Sequence, residues 1–216
     1  MMMMKPIRAV LNRLTLLLAL LLTVPGLPAS ATVRPLTDAE RAEVTRAETY
    51  LNGIKTLRAG FIQGNPDGSV SKGVFSMQRP GKMRLQYDAP NDSLVVSDGL
   101  FVSYWDGELQ QQSSAPLGSS LADLILRDPV RLEGDITVTR VVHVSGELDI
   151  SMIETKDPGK GELTLVFEDR PFNLRKWRVV DAQNAITEVA LQNPQTGMAL
   201  DSDLFYFHAP TVDHHR

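Results

Sequence analysis

The side chains that most often do chemistry are few and scattered in this sequence. The four histidines are His143, within a run of valines, His208 near the C-terminus, and His214 and His215 in a polar tail. None accompanies a nucleophile motif, a zinc-protease helix motif, a phosphate-binding loop or a dinucleotide-binding glycine motif. We therefore predict that the protein is not an enzyme and needs neither a cofactor nor a metal ion.

Asp98 and Asp106 are the one carboxylate pair worth testing for catalysis, because a hydrolase uses two carboxylates as general acid and base. Each is followed by glycine, however, and an Asp-Gly pair between apolar runs is typical of a hairpin turn. Mutating both without loss of structure or binding would retire the hydrolase alternative.

Large apolar residues crowd into the first half of the mature chain. The candidates for an apolar binding surface are Phe61, Phe75, Met77, Met83, Leu85, Tyr87 and Trp105. Aromatic residues and methionine are also normal members of a packed core. Composition alone therefore leaves a binding cavity and an ordinary core both open.

The elements that would position these residues are one helix and many short strands. Thr37 and Glu40 have the spacing of a capping box, and a stripe follows at Val44, Ala47, Leu51, Ile54 and Leu57. From residue 59 onward, short alternating segments are separated by turn residues. We predict strands at 59–64, 69–78, 82–88, 93–98, 100–105, 107–112, 135–145, 147–155, 161–168, 173–181, 185–192 and 203–207.

The strands predict a mainly β fold with antiparallel neighbours, since the connections are short. One interruption, residues 119–127, has a serine cap and aliphatic residues and stops before Pro129, which predicts a short helix. Several strands are shorter than the ~9–11 residues of a transmembrane strand, which disfavours a membrane-spanning barrel.

The first 31 residues are predicted to be a cleavable export signal. Lys5, Arg8 and Arg13 precede an eleven-residue apolar run, 14–24, and the segment ends in Ala29-Ser30-Ala31. An uncleaved anchor would need about 20 apolar residues. We expect residues 32–216 to form a single exported domain.

Composition restricts that domain further. The chain has no cysteine, so it has no disulfide framework and no thiolate metal site. The signal holds three of the 22 basic and none of the 26 acidic residues, which leaves the remainder with a net charge of −7. Without a clustered basic surface, binding to nucleic acid is not expected.

A longer string of residues makes the hypothesis of an apolar binding surface more specific. It comprises Leu51-x-x-Ile54-x-x-Leu57-x-Ala59-x-Phe61-x-Gln63, Gly73-x-Phe75, Arg79-Pro80-Gly81-Lys82-Met83-Arg84, Tyr87, Val96-Ser97-Asp98-Gly99 and the closing Phe205-x-Phe207-x-Ala209-Pro210. In order and spacing this string resembles the periplasmic outer-membrane lipoprotein carrier protein (LolA) family. The resemblance covers most of the mature chain and is strongest through Trp105.

The resemblance implies an α+β fold: an incomplete antiparallel β-barrel that encloses an apolar cavity for acyl chains and is covered by lid helices. Arg79 matches the family arginine that bonds to the lid and is tied to cargo release. Met83 stands where an aromatic residue is familiar. The lid residues are expected to be Leu51, Ile54, Leu121, Leu124 and Ile125.

The resemblance also implies a location and partners. The protein would be a periplasmic monomer that carries lipidated proteins from an inner-membrane ABC transporter to an outer-membrane acceptor. An alternative of similar fold is a periplasmic sensor or adaptor domain that binds a lipidated ligand and regulates a membrane protein.

Overall fold

In the part of the chain that the structure describes, one open antiparallel sheet and one long helix make up the architecture. The computed structural model of the protein describes residues 34–118 and 121–210, so the predicted export signal lies outside the described residues. The helix is α1 (Asp38–Gly53). The strands are β1 (Thr56–Gly64), β2 (Val70–Gln78), β3 (Lys82–Tyr87), β4 (Leu94–Asp98), β5 (Phe101–Asp106), β6 (Gln111–Pro116), β7 (Ile136–Val144), β8 (Glu147–Glu154), β9 (Gly161–Asp169), β10 (Phe172–Asp181) and β11 (Ile186–Thr196).

The eleven strands form a single sheet whose spatial order is β6-β5-β4-β3-β2-β1-β11-β10-β9-β8-β7. Every neighbouring pair is antiparallel. Strands β6 and β7 are its two edges, and within the described residues they are not paired to each other. The predicted incomplete barrel is thus confirmed as an open sheet that does not close.

Three short 3-10 helices complete the secondary structure of the described residues: Leu121–Leu126, Pro158–Lys160 and Ser202–Phe205. The first lies within residues 119–127, where a short helix was predicted. The last lies where a strand was predicted at 203–207, so that prediction is wrong. The strand predicted at 107–112 is also misplaced, because residues 107–110 form a turn and β6 begins at Gln111.

The capping box predicted for α1 is present. Thr37 is the N-cap, its hydroxyl accepts from the Glu40 N–H at 3.3 Å, and a Glu40 carboxylate oxygen accepts from the Thr37 N–H at 2.8 Å. The Arg34 guanidinium donates to the same carboxylate at 2.8 Å. Hydrogen bonds from Arg34 and Thr37 hold the pKa of Glu40 at about 2, below its ordinary 4.5.

We expect this cap to make helix stability depend on acid pH. Because the folded pKa of Glu40 is depressed, its contribution is fully present above pH 4.5 and is lost as the pH falls towards 2. A Glu40→Gln variant should therefore be less thermostable than the wild type above pH 5, and the difference should vanish near pH 2. Thermal unfolding followed by circular dichroism across this range measures it; parallel curves at every pH would contradict the assignment.

The core lies between one face of the sheet and the two segments that cover it. On this inner face, Ala59, Phe75 and Leu85 are paired side by side across β1, β2 and β3, and all three belong to or pack against the main apolar cluster. Leu51 of α1 and Leu124 of the first 3-10 helix are buried in the same cluster. The outer face carries the alternate residues of each strand.

Candidate functional site

Arg79 is the residue that ties the covering segments to the sheet. It follows β2 directly and its side chain is buried, with 7 % of its surface exposed. Nε donates to the Ile125 carbonyl at 2.8 Å, and Nη1 donates to the Ile54 carbonyl at 2.9 Å and to the Leu51 carbonyl. One guanidinium therefore joins the C-terminal end of α1 to the 3-10 helix Leu121–Leu126. We call these two helices the lid.

The charge of Arg79 is held by main-chain dipoles. None of the salt bridges among the described residues includes it. The last turn of α1 has no basic residue of its own, so Arg79 supplies the cation that the negative end of the helix dipole favours. Burial lowers the pKa of Arg79 to about 10, opposed by the nearby Asp128 and Tyr50, and the guanidinium stays charged at neutral pH.

The turn after Arg79 adds main-chain ties to the lid. The Gly81 N–H donates to the Leu126 carbonyl at 2.8 Å, and the Arg79 N–H donates to the Lys55 carbonyl at 2.9 Å. Gly81 has a φ of +76°, and a Cβ there would lie 2.8 Å from the Cα of Gly99. Glycine is required at this position because the β2–β3 and β4–β5 turns touch.

The helix α1 is also bonded to the segment that follows the 3-10 helix of the lid. The Asn52 side chain donates to the Val130 carbonyl at 3.0 Å and accepts from the Val130 N–H at 2.8 Å. The Leu132 N–H donates to Glu48 at 2.6 Å. The lid and the segment after it are thus one hydrogen-bonded unit. Sequence reasoning missed Asn52 and Glu48, since a polar residue on a helix gives no signal of a partner 78 or 84 positions away.

Six of the seven predicted cavity residues come together on the inner face. Phe61, Phe75 and Met77 are buried, and Met83, Leu85 and Tyr87 are half-buried and pack against the same cluster. The Phe61 and Tyr87 rings meet edge to face, with centroids 5.2 Å apart. The lid residues Leu51, Ile54, Leu124 and Ile125 are buried in this cluster; the Leu121 side chain lies outside the described residues.

Trp105 does not belong to this group, which corrects the prediction for it. It is paired with Leu94, which is paired in turn with Gln86, so it lies on the outer face. There it lines a groove of about 340 Å³ together with Arg84. Both alternating sets of β5 contain apolar residues, and the sequence therefore did not show which set faces inward.

Trp177 is the large inner-face residue that sequence reasoning missed. Its ring lies 5.4 Å from that of Phe75, and 5 % of its surface is exposed. A β-bulge between Leu174 and Lys176 shifts the register in this strand. Because the shift breaks the period of two, the alternation that marks an inner face is lost there.

The predicted apolar cavity is not open in this structure. Side chains of the sheet and the lid form one buried cluster there, and none of the five grooves found among the described residues is lined by Phe61, Phe75 or Met77. An empty apolar void forfeits the contacts of its lining atoms, so a closed lid favours a filled interior. A ligand beneath the lid would have to displace these contacts.

The inner face continues beyond the lid at its β6 edge. A groove of about 370 Å³ lies there, lined by Val102, Tyr104, Ser113, Ser114, Ala115, Pro116 and Asp123. Val102 is paired with Ala115 and Tyr104 with Ser113, so the groove follows strands β5 and β6. Asp123 belongs to the lid, and the groove therefore ends against it.

A family comparison decides what kind of protein carries this geometry. The family model of the outer membrane lipoprotein carrier protein LolA matches residues 52–208, which include the whole sheet but only the last two residues of the helix α1. The chain belongs to the LolA family. Its family is one of carrier proteins rather than enzymes.

Individual relatives agree with this assignment. An outer-membrane lipoprotein carrier protein of Methylococcus capsulatus is 29 % identical over 80 % of this chain and 86 % of its own length. One from Pseudomonas fluorescens is 28 % identical over 85 % of this chain and 92 % of its own. A DUF1329 family protein from Desulfovibrio piger has a similar fold, with a TM-score of 0.50, 11 % identity and coverage of 79 % and 98 % of the two chains.

In this LolA-family chain the two aspartates considered for hydrolysis each cap a turn. Asp98 accepts from the Leu100 and Phe101 N–H groups at 2.8 and 2.9 Å, and Asp106 accepts from the Glu108 and Leu109 N–H groups at 3.0 and 2.9 Å.

Within residues 34–118 and 121–210 no three histidine, cysteine or acidic side chains are grouped for a metal ion. No helix of this part of the chain is long and apolar enough to cross a membrane.

Proposed function

We propose that this LolA-family protein is a periplasmic carrier that shields the acyl chains of lipoproteins and shuttles them from the inner to the outer membrane. The observation that carries the proposal is the Arg79 contact. A buried cation holds the lid over an apolar interior through three main-chain carbonyls. These bonds can be broken and remade without unfolding the sheet.

The energetics of acyl chains explain why such a lid is needed. Each exposed CH₂ costs ~0.8 kcal/mol, so one chain of about 16 carbons represents on the order of 12 kcal/mol. A site that captured all of this free energy would not release its cargo. Closure of the lid around Arg79, with the inner-face side chains filling the interior, favours the empty form and offsets part of the binding free energy.

The lid residues have to move for cargo to enter. Leu51 and Ile54 of the α1 end, and Leu124 and Ile125 of the 3-10 helix, cover the inner-face residues Phe61, Phe75, Met77, Met83, Leu85 and Tyr87. Met83 and Leu85 are half-buried, and the flexible Met83 side chain can adapt to a chain bound beside it. Opening requires energy, which an inner-membrane ABC transporter would supply as donor, and an outer-membrane protein would accept the cargo.

The direct test is to identify what the protein carries. The protein is recovered from the periplasm under mild conditions, and co-purified acyl species are identified by mass spectrometry. We expect to recover the carrier from the periplasmic fraction and to find acylated protein bound to it. Free glycolipid without acylated protein would instead indicate the sensor or adaptor alternative, and the absence of any acyl species in wild type and lid variants would contradict the carrier function.

A further inference from the structure

The β4–β5 turn presents the most exposed large apolar pair of the described residues. Leu100 is 73 % exposed and Phe101 is 52 % exposed, and we call these two residues the apolar tip. Asp98 accepts from both of their N–H groups, so the turn is held in one conformation. Exposing two large apolar side chains on a fixed turn is costly in water unless they have a partner.

The apolar tip lies against the turn that carries Arg79. The Leu117 N–H donates to the Leu100 carbonyl at 2.9 Å, and Gly99 and Leu117 are the nearest neighbours of Gly81. Gly81 is itself bonded to Leu126 of the lid. A displacement of the tip would therefore be transmitted to the lid through the contacts of Gly99 and Leu117 with Gly81.

The 370 Å³ groove begins directly beside the apolar tip. Val102 follows Phe101 in β5, and Pro116 is paired with Phe101 across the β5–β6 ladder. The groove is mostly apolar in its strand residues and borders the lid at Asp123. It thus runs along the inner face from the edge of the lid to the strand residues beside the tip, whereas the Phe101 side chain, next to Val102 in the strand, points to the outer face.

We propose that the apolar tip inserts into the surface of a lipid bilayer. The inference rests on the carrier function proposed above. A bilayer fits better than a protein partner because the tip consists of two side chains on a turn, whereas a stable protein interface needs about 800 Å² on each side. The predicted exported domain carries a net charge of −7, so apolar insertion rather than attraction to anionic lipid would drive the contact.

A tryptophan reporter tests the insertion. Phe101→Trp places the reporter in the tip. Leu109→Trp is the matched control, since Leu109 is 64 % exposed in the turn between β5 and β6. Both are mixed with vesicles of phosphatidylethanolamine and phosphatidylglycerol with brominated acyl chains. We expect at least a twofold quenching of the Phe101→Trp signal above the wild-type background, unchanged at high salt, and none for Leu109→Trp. Equal quenching of both, or of neither, would overturn the proposal.

A second pair of variants separates this proposal from the carrier function. Leu100→Ser combined with Phe101→Ser should lower the partition coefficient for vesicles at least about tenfold, and Leu109→Ser should leave it unchanged. Capture of a fluorescent fatty acid, measured on the same variants, should remain at the wild-type level. If the wild type captures fatty acid but does not bind vesicles, only the proposed membrane insertion of the tip is refuted. If the wild type captures no fatty acid, the carrier function is refuted.

Discussion

Replacing Arg79 with leucine should leave the protein able to accept acylated cargo but should slow its handover about 30-fold. The variant removes the donor to three lid carbonyls, which weakens the closed, empty form by about 2 kcal/mol after the cost of burying the guanidinium is deducted. Because closure opposes binding, the affinity for acyl chains rises by the same factor. A transfer assay from loaded carrier to acceptor vesicles or acceptor protein measures the rate.

Arg84→Leu is the matched control for this experiment. Arg84 is a half-buried arginine that, like Arg79, donates to a main-chain carbonyl, that of Leu204 at 3.3 Å, and burial lowers its pKa too. It lies on the outer face, away from the lid, and its loss should leave handover within about twofold of the wild type. Normal unloading by Arg79→Leu would refute the role proposed for Arg79, and equal impairment by both variants would reduce it to a general effect on stability.

Much of the sheet followed from local signals in the sequence. Asn65-Pro66-Asp67-Gly68 and similar turns set the strand boundaries, and the alternation of Met83, Leu85 and Tyr87 identified the inner face of β3. The misplaced β6 shows where such signals stop. Asp106 accepts from both Glu108 and Leu109, which extends the turn to four residues and delays the strand. A side-chain cap of this kind cannot be distinguished from a two-residue Asp-Gly turn by residue type alone.

The C-terminal segment fails for a different reason. Phe205 and Phe207 alternate as in a strand, but the 3-10 helix Ser202–Phe205 contacts β3 and β4 and adds no strand to the sheet. Phe205 is buried there, outside the main cluster, as are Leu94 and Val96 of β4. The choice between pairing at an edge and packing on a face depends on tertiary contacts, and period alone does not encode it.

The site was less predictable than the sheet because its connections are non-local. The position of Arg79 came from a motif, but its partners are carbonyl groups up to 46 residues away, and any residue type supplies a carbonyl. Likewise, whether the interior is open or filled depends on how the lid packs. The sequence places the same apolar residues in both states.

Two buried phenylalanines distinguish a ligand-binding interior from an ordinary core. Phe75 lies on the inner face with 2 % of its surface exposed, and Phe205 lies on the outer face with 1 % exposed. Either change to alanine should destabilise the fold by about 3–5 kcal/mol through lost transfer free energy and a new cavity. Each should therefore lower the melting temperature by roughly 10 °C.

Only the Phe75→Ala cavity should be repaired by an acyl chain. If chains occupy the space beneath the lid, a saturating medium-chain fatty acid fills the new void and raises the melting temperature of Phe75→Ala more than that of the wild type. The rise for Phe205→Ala should equal the wild-type rise, because its cavity lies on the other side of the sheet. If the fatty acid raised the melting temperatures of both variants equally, the Phe75→Ala void would not be a binding site for acyl chains. The inner face would then be an ordinary core.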